Sequence, residues 1–226
     1  MIPCRLLTFL GCCFLTTSLW SQAYLGFKGG INQSKSTYVF NIDPALTTGS
    51  GQLNGFYFGL PFEFQINEVF NFMPEVAVVS EGSVLSVQIL EEQRTYNNAI
   101  IYTKVPLVAK LKLLQKKYYE FGVVGGVVPA FALDVNSYYF SSFDLVRTVN
   151  VDVNFAEAGI RRFDLALSVG MNTEKVIAKG WKIILDLRYN LGLLDVETHS
   201  NLTNTTEGFS LTLGILTPLF REKVIQ

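Results

Sequence analysis

Charge is scarce in this 226-residue chain: Asp, Glu, Lys and Arg make up 16% of it, against a hydrophobic share of 49%. Soluble domains carry roughly 25% charged residues. Histidine occurs once, at His199, and the three cysteines (Cys4, Cys12, Cys13) all lie close to the N-terminus. So few imidazoles and thiols argue against a transition-metal site, and none is expected. With a formal net charge of −1 and no basic stripe, nucleic acid is not expected as a partner. After the N-terminus no apolar run reaches about 18 residues, so no membrane-spanning helix is visible. Gly122–Gly126 lacks the strand–helix context and the lysine of a phosphate loop, so no cofactor is expected and the glycines read as close packing.

What is present begins with a targeting signal. MIPCRLLTFLGCCFLTTSLWSQA carries Arg5, an apolar stretch from Leu6 to Leu15, and Ser21-Gln22-Ala23 as a cleavage site. Residues 1–23 read as a signal peptide, removed on export, and 24–226 as the folded domain. Lipidation at Cys12 is a poorer reading, because the preceding apolar run is short. Cleavage after Ala23 removes every cysteine, so disulfides do not hold the exported chain together.

Eight apolar or alternating runs follow: 24–33, 52–66, 72–82, 99–114, 118–135, 159–174, 180–194 and 207–220. Tight connections lie at Asn67–Asn71, Gln115–Lys117 and Lys175–Lys179. Longer stretches rich in Ser, Thr, Asn and Asp begin at Ser34, Ser83, Asn136 and Asp195. The alternation of short and long predicts an all-β, eight-stranded antiparallel up-and-down transmembrane barrel, with both termini on the short-turn, periplasmic side.

GWKIILDLRYNLGLL (180–194) poses the question of which face points inward. Trp181, Ile183, Leu185, Leu187, Tyr189 and Leu191 alternate with Lys182, Ile184, Asp186 and Arg188, a period of two. In a soluble sandwich or lipocalin-like barrel the apolar set is buried; in an outer-membrane barrel it meets lipid and the charges line the interior. The other runs decide. Phe56, Phe58, Leu60, Phe62 and Phe64 oppose Gly55, Tyr57, Gly59, Pro61 and Glu63. Tyr119, Phe121, Val123, Val127, Phe131 and Leu133 oppose Glu120, Gly122, Gly126, Ala130 and Asp134. Glycine weakens a solvent-facing strand, whereas a crowded lumen needs small residues beside large ones. The charged faces therefore point inward. Phe70, Phe72, Tyr118, Tyr119, Trp181 and Phe220, near strand ends, fit an aromatic girdle.

The inward charges are the candidate site. Lys28, Glu63, Glu75, Lys110, Glu120 and Lys182 are placed near the short-turn rim, and Lys104, Asp164, Asp186 and Arg188 further toward the loops. Both signs occur in similar number, so a salt-bridge network that plugs a narrow barrel is expected ahead of a gated pore or a ligand site. No catalytic residue is assigned and no enzyme is expected: Glu197-Thr198-His199-Ser200 lies on a polar loop rather than on rigid elements. Two sequons, at Asn201 and Asn204, read as marks of an exposed loop.

NFMPEVAVVSEGS, IIYTKVPLVAKLKL with YYEFGVVGGVVPAFAL, and RRFDLALSVGMN with WKIILDLRYNLGLLDV resemble the PorT-like outer-membrane β-barrel family of Bacteroidetes. The matching positions are Pro74-Glu75, Val105-Pro106-Leu107 with Lys110, Gly122 to Gly126, Asp164, and Arg188-Tyr189 with Gly192-Leu193. The resemblance implies an eight-stranded outer-membrane barrel, some of whose relatives are associated with secretion and gliding machinery. The expected partners are outer-membrane lipid, envelope proteins met through the loops, among them Tyr38-Val39-Phe40 and Tyr138-Tyr139-Phe140, and the barrel-assembly machinery during biogenesis.

Overall fold

The computed structural model describes residues 22–40, 48–89, 92–141, 149–152, 160–196 and 202–219. The alternating runs form strands β1 (Ala23–Phe40), β2 (Thr48–Gln65), β3 (Phe70–Ile89), β4 (Glu92–Lys104), β5 (Leu107–Lys116), β6 (Tyr119–Ser141), β7 (Val149–Asp152), β8 (Phe163–Val176), β9 (Lys182–Gly192) and β10 (Leu202–Pro218). β4 and β5 are two halves of one strand. Pro106 has no N–H to donate, yet Glu75 N donates to Pro106 O (2.9 Å) and Val105 N to Pro129 O (2.9 Å), which carries the pairing across the break. β7 lies against the far end of β6. Without β7, eight strands pair antiparallel in chain order, and β10 closes the ring on β1 from Tyr24↔Pro218 to Phe40↔Leu202.

The stagger of the ring fixes its width. Directly paired residues lead from Ala23 through Phe64, Phe72, Ala109, Gly125, Val169, Tyr189 and Phe209 back to β1 at Gln33, ten residues beyond the start. For eight strands spaced about 4.8 Å apart, that stagger gives a tilt of about 41° and a backbone radius of about 8 Å. Such a cylinder is filled by its own side chains.

The tight turns have local causes. The Asn67 side-chain carbonyl accepts from Val69 N (2.8 Å) and Phe70 N (2.7 Å), bending β2 into β3. β5 passes to β6 through Lys117-Tyr118. β8 turns into β9 with Ile177 N bonded to Trp181 O (2.7 Å) and left-handed backbone at Lys179 (φ 64°) and Gly180 (φ 79°). Leu219 N donates to Ala23 O (2.8 Å), so the two ends of the described barrel meet at this rim. β1 starts at Ala23, one residue before the expected mature start; the rest of the signal sequence, apart from Gln22, lies outside the described residues, as do His199 and Phe220.

The expected long connections are largely strand. β1 continues through Phe40, β2 begins at Thr48, β3 and β4 pair from Ala77↔Lys104 out to Ile89↔Glu92, and β6 continues to Ser141. The ladder persists where side chains turn polar, because backbone groups pair whatever the side chains are. Asn204 is likewise not on an exposed loop: it sits on β10 and is buried. Asp134 does not face inward as expected. A bulge sets Ile101↔Asp134 beside Tyr102↔Ala132 and leaves Leu133 unpaired, which exposes Asp134 and turns Val135 inward.

Above Ser34↔Leu53 the β1–β2 ladder stops, although β1 stays paired with β10 to Phe40. There β2 shifts register against β3 between Gln52 and Tyr57. Side chains of β1 fill the wedge: the Ser34 hydroxyl accepts from Gly82 N (2.8 Å) and donates to Gly82 O (3.0 Å), and Asn32 Nδ2 donates to Ser80 O (3.2 Å).

Candidate functional site: the charged lumen

The faces are inverted relative to a soluble protein. Phe27, Ile31, Phe58, Leu185 and Leu213 point outward, the last of them 60% exposed, while Lys28, Glu75, Lys110, Glu174 and Asp186 are buried. An apolar belt of this size is stable only against another apolar medium.

Among the described residues, most charges inside the ring fall into three ion-paired groups. At the short-turn end Lys182 Nζ lies 2.9 Å from Glu174 Oε2, 3.2 Å from Glu63 Oε1 and 4.0 Å from Glu120 Oε2. Lys110 is bonded to Glu174 and lies 3.5 Å from Glu120 Oε2, and Asn71 donates to Glu63. The Tyr24 ring stacks under Lys182 Nζ at 4.1 Å. Oxygens of Glu63, Glu120 and Glu174 lie within 4.8 Å of one another, a spacing that would suit a metal ion. The ammonium groups of Lys110 and Lys182 already stand among them and supply the compensating charge.

In the middle group Lys28 Nζ is 2.8 Å from both Glu75 Oε2 and Asp186 Oδ2. Arg188 reaches the same two carboxylates at 3.3 and 2.5 Å. Tyr57 donates its hydroxyl to Glu75 Oε1 (2.8 Å), and its ring lies 5.1 Å from Lys28 Nζ. Two cations thus balance two anions, as burial requires. Gly59 makes the group possible: a Cβ there would stand 2.0 Å from Glu75 Oε1. Toward the loops, Lys104 Nζ lies 2.6 Å from Glu81 Oε1, to which Asn32 Nδ2 also donates (3.4 Å).

Of the ten expected lumen charges, nine join ion pairs. Asp164 is buried but instead accepts from Leu165 N (2.7 Å) and Thr206 Oγ1 (3.2 Å), and among the described residues it makes no ion pair. Lys28 and Glu75 do not join the rim group as expected. They pair with Asp186 and Arg188, because tilted strands place equal counts from a turn at unequal heights. Glu81, Glu174 and Asn71 are absent from the expected set, and Tyr57, expected on the inward face, is not counted there as part of the site. Parity with Glu75 marks Glu81 as inward, and parity with Asp164 marks Glu174; both stood at the ends of runs, where strand and turn look alike. Phe70, Tyr118, Tyr119 and Trp181 are exposed at the short-turn rim, and Phe72 is partly buried there.

At the opposite edge of the apolar belt the outward positions turn polar. Lys35 Nζ lies 2.8 Å from Glu207 Oε1, Tyr189 donates to Glu207, and Gln33 bonds Asn54 (3.2 Å).

A closed antiparallel ring with an apolar outside, a charged inside, an aromatic rim and a polar rim defines a transmembrane β-barrel. A family model, the outer membrane protein beta-barrel domain, matches residues 20–197. The chain belongs to that family and resides in the outer membrane. A comparison with curated proteins finds no match. Solved structures similar to the chain include Ail of Yersinia pestis in complex with the heparin analogue sucrose octasulfate (12% identity, 87% of this chain and 99% of that one, TM-score 0.41). OprG of Pseudomonas aeruginosa is similar at 7% identity, 88% and 97% coverage and TM-score 0.42. The outer membrane protease OmpT of Escherichia coli is similar at 8% identity, 88% and 97% coverage and TM-score 0.46. The expectation that the chain is no enzyme does not stand, since one of these similar structures is a protease.

Proposed function

We propose that the barrel is an interaction component of the cell envelope, of the PorT-like kind, that docks other envelope proteins and is accessory to a secretion or gliding assembly. The observation that supports this is the filled lumen. Three ion-pair groups occupy the axis of a cylinder of about 8 Å backbone radius, which leaves the rims as working surfaces. The paired strand extensions beyond the apolar belt give partners a platform, and the barrel-assembly machinery is the partner during insertion.

The test is a crosslinking pull-down from intact outer membranes, with a tag in the Gln115–Tyr118 turn. Stoichiometric envelope proteins are expected. A barrel recovered alone, together with steady conductance in planar bilayers, would overturn the reading. A second reading, a narrow gated pore or small-ligand barrel, draws on Asn172: it is fully buried in the lumen, and neither of its amide atoms has a hydrogen-bond partner among the described residues. Under that reading Asp186→Ala changes ion selectivity; under the first it only destabilises.

A further inference from the structure

We propose that one half of the periplasmic rim, formed by β5, β6, β8 and β9, is a binding surface for the phosphate headgroups of anionic phospholipids. Lys116, Lys117, Lys175 and Lys179 are all exposed there, and none of them is ion-paired to another described residue. Among the described residues, the turn between β2 and β3 on the other half of this rim carries Glu68 and no lysine. Register brings the lysines together. Lys116 pairs with Tyr119, and Tyr119 with Lys175, a row across three neighbouring strands. The two lysines then stand about 10 Å apart at the backbone, a span that their flexible stems close around one phosphate.

The aromatic residues select a lipid over a soluble acidic protein. Lys117 Nζ lies over the Tyr118 ring at 5.2 Å and Lys175 Nζ over the Tyr119 ring at 5.3 Å. Tyr118, Tyr119 and Trp181 are themselves 52%, 47% and 41% exposed, beside the outward leucines Leu113 and Leu114. These two ammonium groups are therefore held against exposed aromatic rings, the side chains that favour the headgroup layer. At the opposite rim Lys35 is neutralised by Glu207. Lysine near an anionic leaflet contributes about a fivefold preference per residue.

The experiment reconstitutes the full barrel in phosphatidylethanolamine bilayers containing a minority of phosphatidylglycerol. It then measures the composition of the first lipid shell with spin-labelled phosphatidylglycerol and phosphatidylcholine. The expected result is a preference for the anionic label of about fivefold or more. Lys116→Gln/Lys117→Gln/Lys175→Gln/Lys179→Gln should abolish it, and Lys35→Gln should leave it intact. The double variant Lys117→Gln/Lys175→Gln, which disturbs fewer residues, should lower the preference by at least half, with folding checked by heat-dependent gel mobility. Equal affinity for both labels in the wild type would overturn the proposal. So would a preference that survives in the quadruple variant, or one lost equally in Lys35→Gln. Binding of an acidic periplasmic protein to this sector, with no lipid preference, would overturn it as well.

Discussion

Lys28→Met tests the filled lumen directly. The side chain is 1% exposed and its ammonium touches Glu75 and Asp186, both at 2.8 Å. Methionine keeps the length and apolar stem but removes the charge, leaving two buried carboxylates with Arg188 alone. Breaking a buried pair from one side costs about 3–5 kcal/mol, because the remaining charge is uncompensated. Reversible urea unfolding in detergent or vesicles, followed by gel mobility and tryptophan fluorescence, reads that loss as a lowered midpoint. Lys28→Met/Asp186→Asn leaves Arg188 and Glu75 matched one to one, and should be more stable than the single variant. A single-variant loss under about 1 kcal/mol, or a double variant worse than the single, would mean that water already compensates these charges, and the plugged reading would fall.

Three further outcomes separate the parts of the fold. Leu213→Arg, on the outward belt, should cost about 2–4 kcal/mol in a bilayer, whereas at an exposed site of a soluble protein it would cost almost nothing; vesicle unfolding titrations decide. Gly59→Ala should cost about 1–3 kcal/mol by pushing Glu75 away from Tyr57 and Lys28, read as a lower unfolding midpoint. Glu207→Gln, whose partner Lys35 is 43% exposed, should change stability by less than about 1 kcal/mol in the same titration.

How much of this was legible follows from where lipid touches the chain. Leu185, Leu187 and Phe58 announce themselves because lipid demands apolar side chains on every second residue. The same constraint exposes Lys182, Asp186 and Arg188 by elimination. Beyond the belt neither face is constrained, so Ser34–Phe40 and the Ser83–Ile89 half of a hairpin read as loop although they are strand. Asp134 was misplaced because one bulged residue, Leu133, reverses parity, and no side-chain pattern records an insertion of one. The grouping of charges was beyond reach for another reason. Lys28 meets Asp186 across 158 residues, a meeting set by the stagger of the whole ring rather than by any local spacing.

The contact between Leu219 and Ala23 has a kinetic meaning. Because the first strand pairs with the last, no partial chain can complete the cylinder, and β1 keeps an unsatisfied edge until β10 arrives. Closure is then a single late event of maximal sequence separation, slow by topology. The same adjacency makes the order of the strands cyclic. Joining 219 to 22 by a short linker, and cutting between β3 and β4, should return the same ring from a circularly permuted chain whose late-arriving edge is now a different one.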